Sequence, residues 1–346
     1  MCNIAGYVGT RPAAPILLDM IRKQEGLDGG FYTGIATIHE GKIHYAKLTG
    51  DLDRLLALTD AASLPGTVGI AHSRTRSGGG DEWAHPFVGE RDGEIRLAYV
   101  ANGYAGCFAD RKPEQEALAQ ALWDAGFPMS ARVRDEEGRY LTLRDGYGVH
   151  MSDAMCQLIL KNMTEGLDAP AAMAKAFCEM PAAIVGLALD CREPDAIAWS
   201  RINFPMMVSH ADHGTYLATS ALGIPEDGRD PSILPACCGG RVTAGGYTVV
   251  PYPDPPVRVD PIDAACWHKA YQVAVAALAE GPCDLTAIST RVRETVFPGS
   301  ACPPNTLVAF EVLRALVRED RVTRSVVRLE SDFENIDAPR FVYSLK

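Results

Sequence analysis

The chain has 346 residues, of which 47% are hydrophobic and 22% are charged. This composition excludes a disordered chain, and the formal charge of −11 disfavours a general nucleic-acid-binding protein, which needs a basic surface. No apolar run approaches the roughly 18 residues of a membrane span, and no secretory leader opens the chain. We therefore expect a soluble, cytoplasmic protein of about two domains.

Most of the chain alternates predicted strands with predicted helices. Alternation, periodicity and turn residues predict, in chain order, strand 2–9, helix 16–24, strands 32–38 and 42–48 joined at Glu40-Gly41, helix 51–58, strands 67–72 and 96–100, helix 114–125, helix 152–163 with Ser152 as its N-cap, and strands 182–189, 196–200, 206–210 and 216–219. This order predicts an α+β, sheet-packed domain over residues 1–250.

The last quarter of the chain has a different organisation. Its patterns predict a stiff, proline-rich linker at 251–262, helices at 263–278, 285–296 and 305–317, and strands at 322–329 and 340–344. That order is typical of a winged helix, so we expect a small winged-helix-like C-terminal domain over 263–346. Residues 281–346 carry nine basic and nine acidic side chains, which favours packing or partner docking over DNA binding.

Ten cysteines indicate neither a disulfide framework nor a metal site. The chain is long, and its cysteines include no CxxC pair, only the adjacent Cys237 and Cys238. Cys2 stands apart, because removal of Met1 would make it the N-terminal residue. Its freed α-amine, with a pKa of about 8, could then act as a base toward its own thiol. Position alone is weak evidence, since most second-position cysteines are incidental.

Polar residues after predicted strands supply the groups that such a nucleophile needs. The side-chain amide of Asn102 and the backbone N–H of Gly103 could form an oxyanion hole. Arg74 offers a bidentate fork for a carboxylate, and Asp153 offers a negative charge for an ammonium group. Together with Cys2, these four residues form the candidate site.

At these residues the chain resembles the glutaminase domain of class II, N-terminal nucleophile (Ntn) glutamine amidotransferases, most closely that of glucosamine-6-phosphate synthase. Five motifs stand in the family's order within residues 2–225. They are Met-Cys-Asn-Ile-Ala-Gly at 1–6, Gly-Ile-Ala-His-Ser-Arg at 69–74, Ala-His-Pro at 84–86, Asn-Gly at 102–103 and the aspartate at 153.

The resemblance implies a four-layer αββα sandwich and a reaction at Cys2. The thiol would attack the side-chain amide of glutamine, release ammonia and form a γ-glutamyl thioester, which water would hydrolyse to glutamate. Asn102 and Gly103 would hold the oxyanion. The family's reaction uses neither a metal nor an organic cofactor, so we expect none.

Four further positions fall within the family's substrate-binding motifs. The resemblance implies that Arg74 binds the glutamine α-carboxylate, that Asp153 binds its α-amine, and that Thr75 and His85 line the pocket. Asp153 also fits a solvated helix N-cap, and His85, like His72, fits a hydrogen-bonded structural histidine.

The chain departs from the family in the loop that should close over glutamine. Thr75 stands in place of a tryptophan, Arg76 follows it, and three glycines occupy 78–80. About 95 residues follow residue 251, too few for a synthase domain, and no phosphate-binding glycine motif occurs. We therefore expect a glutaminase-type subunit of an oligomer that passes ammonia to a separate synthase subunit. The alternatives are an Ntn amidohydrolase acting on another amide and a catalytically silent, ligand-sensing regulator.

Overall fold

The computed structural model describes residues 2–329 and 337–346. Its strands, in chain order, are β1 Asn3–Gly9, β2 Tyr32–His39, β3 Lys42–Thr49, β4 Val68–Arg74, β5 Phe87–Arg91, β6 Glu94–Tyr104, β7 Arg132–Arg134, β8 Leu141–Thr142, β9 Tyr147–Val149, β10 Ala183–Asp190, β11 Ile197–Arg201, β12 Met207–Ala211, β13 Gly214–Ala218, β14 Arg229–Ile233, β15 Cys238–Thr243, β16 Gly246–Tyr247, β17 Val250–Pro251, β18 Val322–Leu329 and β19 Ala338–Leu345. Its helices are α1 Ala13–Gln24, α2 Leu52–Leu58, α3 Lys112–Asp124, α4 Met151–Thr164, α5 Ala169–Glu179, α6 Ala264–Glu280, α7 Leu285–Val296 and α8 Asn305–Arg318. None of the helices within these two ranges is long and apolar enough to cross a membrane.

Two antiparallel sheets form the centre of the molecule. The first has the strand order β14-β12-β13-β1-β4-β2-β3, and the second has the order β16-β15-β11-β10-β6-β5, with β17 paired to β15. The smaller strands β7, β9 and β8 form a separate sheet, and β18 pairs with β19. Because β1 is central in the first sheet, the N-terminal end of the chain is held between β13 and β4.

Alternating side chains explain why helices cover both sheets. In β1, Ile4 points into the apolar cluster between the sheets, while Ala5 and Tyr7 join the cluster under α1 and α2. In β6, Val100 faces the first sheet, while Tyr99 packs toward α4 and α5. The layers therefore run helices, sheet, sheet, helices, which confirms the expected αββα sandwich.

Removing a side chain that packs between the sheets should lower the free energy of unfolding substantially. Leu187 in β10 is fully buried in the inter-sheet cluster, so we expect Leu187→Ala to lower the free energy of unfolding by about 3 kcal/mol through lost burial and a cavity. Leu58 is 65% exposed, and Leu58→Ala should change stability by less than about 0.5 kcal/mol. Denaturant titration of both variants checks this; equal losses would contradict the assigned core.

Most predicted elements agree with the structure within a few residues, but the prediction that Ser152 caps α4 is wrong. The helix begins at Met151, and Nδ1 of His150 accepts a hydrogen bond from the Ser152 backbone N–H at 3.1 Å. The patterns give no prediction for β5, β7–β9, β14–β17 and α5. These strands have two to six residues, too few for a clear alternation, and α5 is rich in alanine.

The elements α6–α8, β18 and β19 form what we call the C-terminal module. Its three helices and hairpin occur in the predicted order, and they enclose their own apolar cluster around Val292, Phe310 and Leu313. The winged-helix classification and the boundaries at 250 and 263 stay predictions. Within the expected linker, Tyr252 is buried, and its hydroxyl lies 2.5 Å from Ser200 Oγ.

The hairpin of the C-terminal module rests on the segment that follows α1. Leu27 belongs to the module's apolar cluster, and Arg340 of β19 forms an ion pair with Asp28. In addition, Arg328 Nη1 lies 2.8 Å from Asp51 Oδ2. These contacts fix the module beside the end of the sandwich at which β1 begins.

Candidate active site

Sheet register brings Cys2 next to Arg74. In the antiparallel pair β1–β4, Asn3 lies opposite Ser73, so the residue before Asn3 lies beside the residue after Ser73. The loop that continues from β4 then brings Thr75 to the cysteine, close enough for its backbone and its side chain to lower the pKa of the thiol. The order of residues in two neighbouring strands thus creates one side of the site.

Asn102 supplies the opposite side from the second sheet. It follows Ala98 and Val100 at two-residue spacing, so its side chain also points between the sheets, toward Cys2. Its Oδ1 accepts a hydrogen bond from Cys2 N at 3.3 Å, and its Nδ2 donates to Cys2 O at 2.8 Å. A side-chain amide has two N–H donors, so the one that does not serve Cys2 O is a candidate oxyanion donor.

The next residue of β6, Gly103, has to be a glycine for a steric reason. A Cβ atom at this position would lie 2.6 Å from the carbonyl oxygen of Ala183 on the paired strand β10. Only glycine therefore allows the two strands to approach this closely beside Asn102.

Cys2 opens into a cavity of about 590 Å³. Pockets for small ligands typically measure roughly 300–1,000 Å³, so this cavity is large enough for a small molecule. Thr75, Asn102 and Gly103 line the cavity together with Cys2, and α7 and α8 of the C-terminal module form its far side. The structure therefore brings four of the seven predicted site residues to one cavity.

The Cys2 thiol lies in a weakly solvated environment. Burial raises its pKa, while the positive charge of Arg74 and the hydrogen bonds of Thr75 lower it by less. The net rise keeps the thiol protonated at neutral pH, so a reaction at Cys2 needs a base that removes this proton.

Arg74 is buried directly behind the cavity. Its Nη1 donates to Trp83 O at 2.8 Å, its Nη2 donates to Ser77 Oγ at 2.6 Å, and its guanidinium lies 5.0 Å from the centre of the Tyr32 ring. The Tyr32 hydroxyl also bonds the carbonyls of residues 77–79. The glycine-rich loop after β4 is thus folded back onto Arg74 in this structure.

His85 lies in a buried polar cluster beyond Arg74. Its ring centre is 4.0 Å from that of His72 and 5.6 Å from that of His150. Within residues 2–329 and 337–346, neither ring nitrogen of His85 has a hydrogen-bond partner. Burial, followed by the charges of His72 and His150, holds the pKa of His85 well below its ordinary value, so this imidazole is neutral at pH 7.

Of the two histidines, His72 fits better the role of a hydrogen-bonded structural residue. Its Nε2 lies 2.9 Å from Ala101 O, which fixes this nitrogen as the protonated one. Burial lowers the pKa of His72 to about 3. His85 differs from it, because the described protein groups leave both of its nitrogens available to a ligand.

Asp153 is fully buried in the first turn of α4, so the solvated-cap alternative is wrong. Its Oδ2 accepts hydrogen bonds from the backbone N–H groups of Ser130 and Ala131 at 2.6 and 2.8 Å. Its Oδ1 has no partner among the described residues, and burial raises its pKa, while the charge of Lys47 lowers it by less. Asp153 does not line the Cys2 cavity, so the structure does not bring it to the nucleophile.

Sequence reasoning missed Lys47, His150 and Glu25. The Lys47 Nζ donates to Ala84 O at 2.9 Å and is electrostatically coupled to Asp153 and His85. Lys47 lies in a strand with ordinary alternation, and nothing in that pattern predicts its coupling to Asp153 and His85. The same holds for His150, which lies in a segment without a clear pattern.

Glu25 lies under the Cys2 side of the site as a buried acid. Its Oε1 accepts hydrogen bonds from Ser73 Oγ at 2.8 Å and from Leu52 N at 3.0 Å. Burial raises its pKa from the ordinary 4.5 to about 7, against the lowering effect of the Ser73 hydrogen bond. Between pH 4.5 and about pH 7, therefore, Glu25 is mostly protonated in the folded protein and mostly ionised in the unfolded chain.

This difference predicts a loss of stability as pH rises from about 4.5 to 7, worth up to about 3 kcal/mol for Glu25. We expect Glu25→Gln to remove that part of the pH dependence, because glutamine does not ionise. Urea titrations at pH 5 and pH 8 measure it. The control Glu40→Gln, at an exposed position, should keep the wild-type pH dependence of stability. If Glu25→Gln also keeps it, Glu25 is not its source.

In the described part of the chain, no three histidine, cysteine, aspartate or glutamate side chains are grouped so that they could hold a metal ion.

Known proteins resemble the chain in sequence over most of its length, although no family model matches it. Glutamine–fructose-6-phosphate aminotransferase (isomerizing) of Methanothermobacter thermautotrophicus is 31% identical over 229 residues, 65% of this chain and 34% of that protein. The Chlorobaculum tepidum protein of the same name is 30% identical over 256 residues, 72% and 37%. The chain thus spans little more than a third of the length of these curated relatives.

Solved structures share the fold. Glutamine phosphoribosylpyrophosphate amidotransferase from B. subtilis superposes with a TM-score of 0.58 at 13% identity, over 94% of this chain and 66% of that one. A structure described as the allosteric regulatory enzyme of purine biosynthesis gives a TM-score of 0.56 at 14% identity, over 72% and 49%. The sequence relatives, the αββα sandwich and the Cys2 cavity together identify in this chain a class II glutamine amidotransferase domain of the N-terminal nucleophile type.

Proposed function

We propose that this chain is a glutaminase-type amidotransferase subunit in which Cys2, freed from Met1, attacks the side-chain amide of glutamine. The observation that carries the proposal is the contact of Cys2 N with Asn102 Oδ1, at 3.3 Å, on the wall of a cavity large enough for an amino acid. After removal of Met1, the same contact would orient the α-amine beside the thiol.

The proposed first step forms a carbon–sulfur bond. The α-amine takes the thiol proton, and the sulfur attacks the amide carbon while the developing oxyanion accepts hydrogen bonds from Asn102 Nδ2 and Gly103 N–H. The carbon–nitrogen bond then breaks, and the amine returns its proton to the leaving ammonia. Water attacks the thioester in the second half of the reaction, which releases glutamate and regenerates the thiol.

Glutamine recognition would use the buried polar groups behind the cavity. Arg74 carries the positive charge suited to an α-carboxylate, and His85 and Asp153 Oδ1 are buried polar groups without partners in the described ranges. Such groups are costly unless a ligand satisfies them. For glutamine to reach them, the loop that holds Arg74 Nη2 through Ser77 Oγ would have to rearrange.

We further propose that the ammonia acceptor is a separate domain or subunit. The aligned region corresponds to little more than a third of each curated relative, whose names describe an aminotransferase that acts on glutamine and fructose 6-phosphate. A second candidate function, hydrolysis of another amide, is favoured by Thr75, which lines the cavity at the position where the family has tryptophan.

The test is glutamate release from glutamine by protein whose N-terminus is verified by mass spectrometry to be Cys2. Asparagine and γ-glutamyl amides serve as parallel substrates. Turnover of glutamine supports the main proposal, and turnover of another amide alone supports the second. If none is turned over, with or without candidate synthase partners, both enzymatic proposals fail and the ligand-sensing alternative stands.

A further inference from the structure

The C-terminal module forms part of the cavity that contains Cys2. One face of α7 lines it with Thr286, Ser289, Thr290 and Arg293, which recur at intervals of three and four residues. The nucleophile and this polar face therefore share one space, although they lie almost 300 residues apart in the sequence.

Hydrogen bonds hold the polar face of α7 in place. Asn305 of α8 donates through Nδ2 to Ser289 Oγ at 2.9 Å and to Ser289 O at 3.1 Å. The Ser289 hydroxyl also lies 3.1 Å from Thr306 Oγ1. Because α7 and α8 are linked in this way beside the cavity, the position of Arg293 one turn further along α7 is well defined.

Arg293 is the surplus cation of this cavity. In the two ranges that the structure describes, its guanidinium has neither an ion pair nor a hydrogen bond. The acidic residues on the lining both have basic neighbours, since Asp28 pairs with Arg340 and Glu294 acts on Arg291. An exposed guanidinium without a partner, beside several hydroxyl groups, is suited to bind a carboxylate or phosphate.

We propose that Arg293, with the hydroxyl side chains of α7, is a subsite for the anionic group of a small-molecule ligand that enters the Cys2 cavity. The C-terminal module would then determine which ligand reaches the nucleophile. This inference deepens the proposed function, because it concerns the same cavity, but its test follows the reactivity of the thiol and does not depend on glutamine turnover.

The test compares two reagents of nearly equal size, anionic iodoacetate and neutral iodoacetamide, on the N-terminal peptide followed by mass spectrometry. Both react with the same thiolate, so the ratio of their rates cancels the pKa of Cys2 and reports the electrostatic potential in the cavity. At low ionic strength we expect Arg293→Gln to lower the iodoacetate-to-iodoacetamide ratio about three- to tenfold. Arg293→Glu should lower it further.

Arg318→Gln is the matched control. Arg318 is also exposed and lies in the same module, but it does not line the Cys2 cavity. Its substitution should leave the ratio within twofold of wild type. An unchanged ratio in Arg293→Gln, or an equal fall in Arg318→Gln, would overturn the proposal.

Protection experiments distinguish the two anion classes. Inorganic phosphate and glutarate are each added before iodoacetamide, and at least one should slow alkylation of Cys2 in wild type and several-fold less in Arg293→Gln. Protection by phosphate indicates a phosphorylated ligand, and protection by glutarate indicates a carboxylate. If neither protects, the subsite does not exist. If these results hold but no glutamate is released, only the proposed function fails.

Discussion

The Cys2→Ser protein should fold like wild type and should release glutamate from glutamine more slowly by a factor on the order of 10⁴ or more. The substitution changes one atom at a half-buried position, so packing is preserved. A serine hydroxyl is far harder to deprotonate than a thiol, so the same α-amine produces much less of the reactive anion in a site built around a thiol.

Cys178→Ser is the control for general effects of cysteine replacement. Cys178 is also half-buried, but it lies on α5 and lines a different cavity. We expect its kcat and KM to stay within about twofold of wild type. Loss of turnover in Cys178→Ser, or full turnover in Cys2→Ser, would contradict the assignment of Cys2 as the nucleophile.

The second large effect is expected for Asn102→Ala. It removes the Nδ2 donor proposed for the oxyanion, and loss of one such donor typically lowers kcat by about 10²- to 10³-fold. It also removes both hydrogen bonds between Asn102 and the Cys2 backbone, so the position of the nucleophile has to be checked independently.

Two measurements separate these effects. Steady-state kinetics should show the loss in kcat, with KM changed by only a few-fold, because the oxyanion exists only after attack. The rate of Cys2 alkylation by iodoacetamide should stay within a few-fold of wild type if the cysteine is still in place. A rise in KM at unchanged kcat would assign Asn102 to glutamine binding and would contradict the oxyanion role.

The strands of the sandwich could be predicted because their signals are local, whereas the four-layer arrangement is implied by the resemblance to the amidotransferase family. The alternation in β1 puts Ile4 and Ala5 on opposite faces, and a strand with two apolar faces must be covered on both sides. The turn predicted at Glu40-Gly41 is present, with positive φ at both residues. Such features depend on neighbouring residues alone.

The cap of α4 and the surroundings of Asp153 could not be predicted in this way. Serine is a good N-cap, but the cap position is taken by His150, whose ring packs against Trp83 and against Phe87 of β5, both distant in the sequence. Asp153 is buried because the backbone of residues 130–131 crosses it. Both outcomes are decided by long-range packing, which a local pattern does not contain.

In the candidate site, too, some residues could be predicted from local signals and others depend on long-range packing. Cys2 and Asn102 could be predicted from the motifs, since each lies at the end of a predicted strand. The contribution of α7 could not, because Arg293 resembles any exposed arginine of an amphipathic helix until the fold places it over the cavity. Tertiary docking through Arg340 and Arg328, not helix periodicity, determines that position.

The central claim is that Cys2, as the N-terminal residue, forms a thioester with the glutamyl group. Acid-quenched protein, taken during turnover of glutamine, should carry the mass of one glutamyl group on its N-terminal peptide, and the adduct should disappear when glutamine is exhausted. Glutamate release without this adduct, an adduct on another cysteine, or no adduct on protein that begins at Cys2 would contradict the claim.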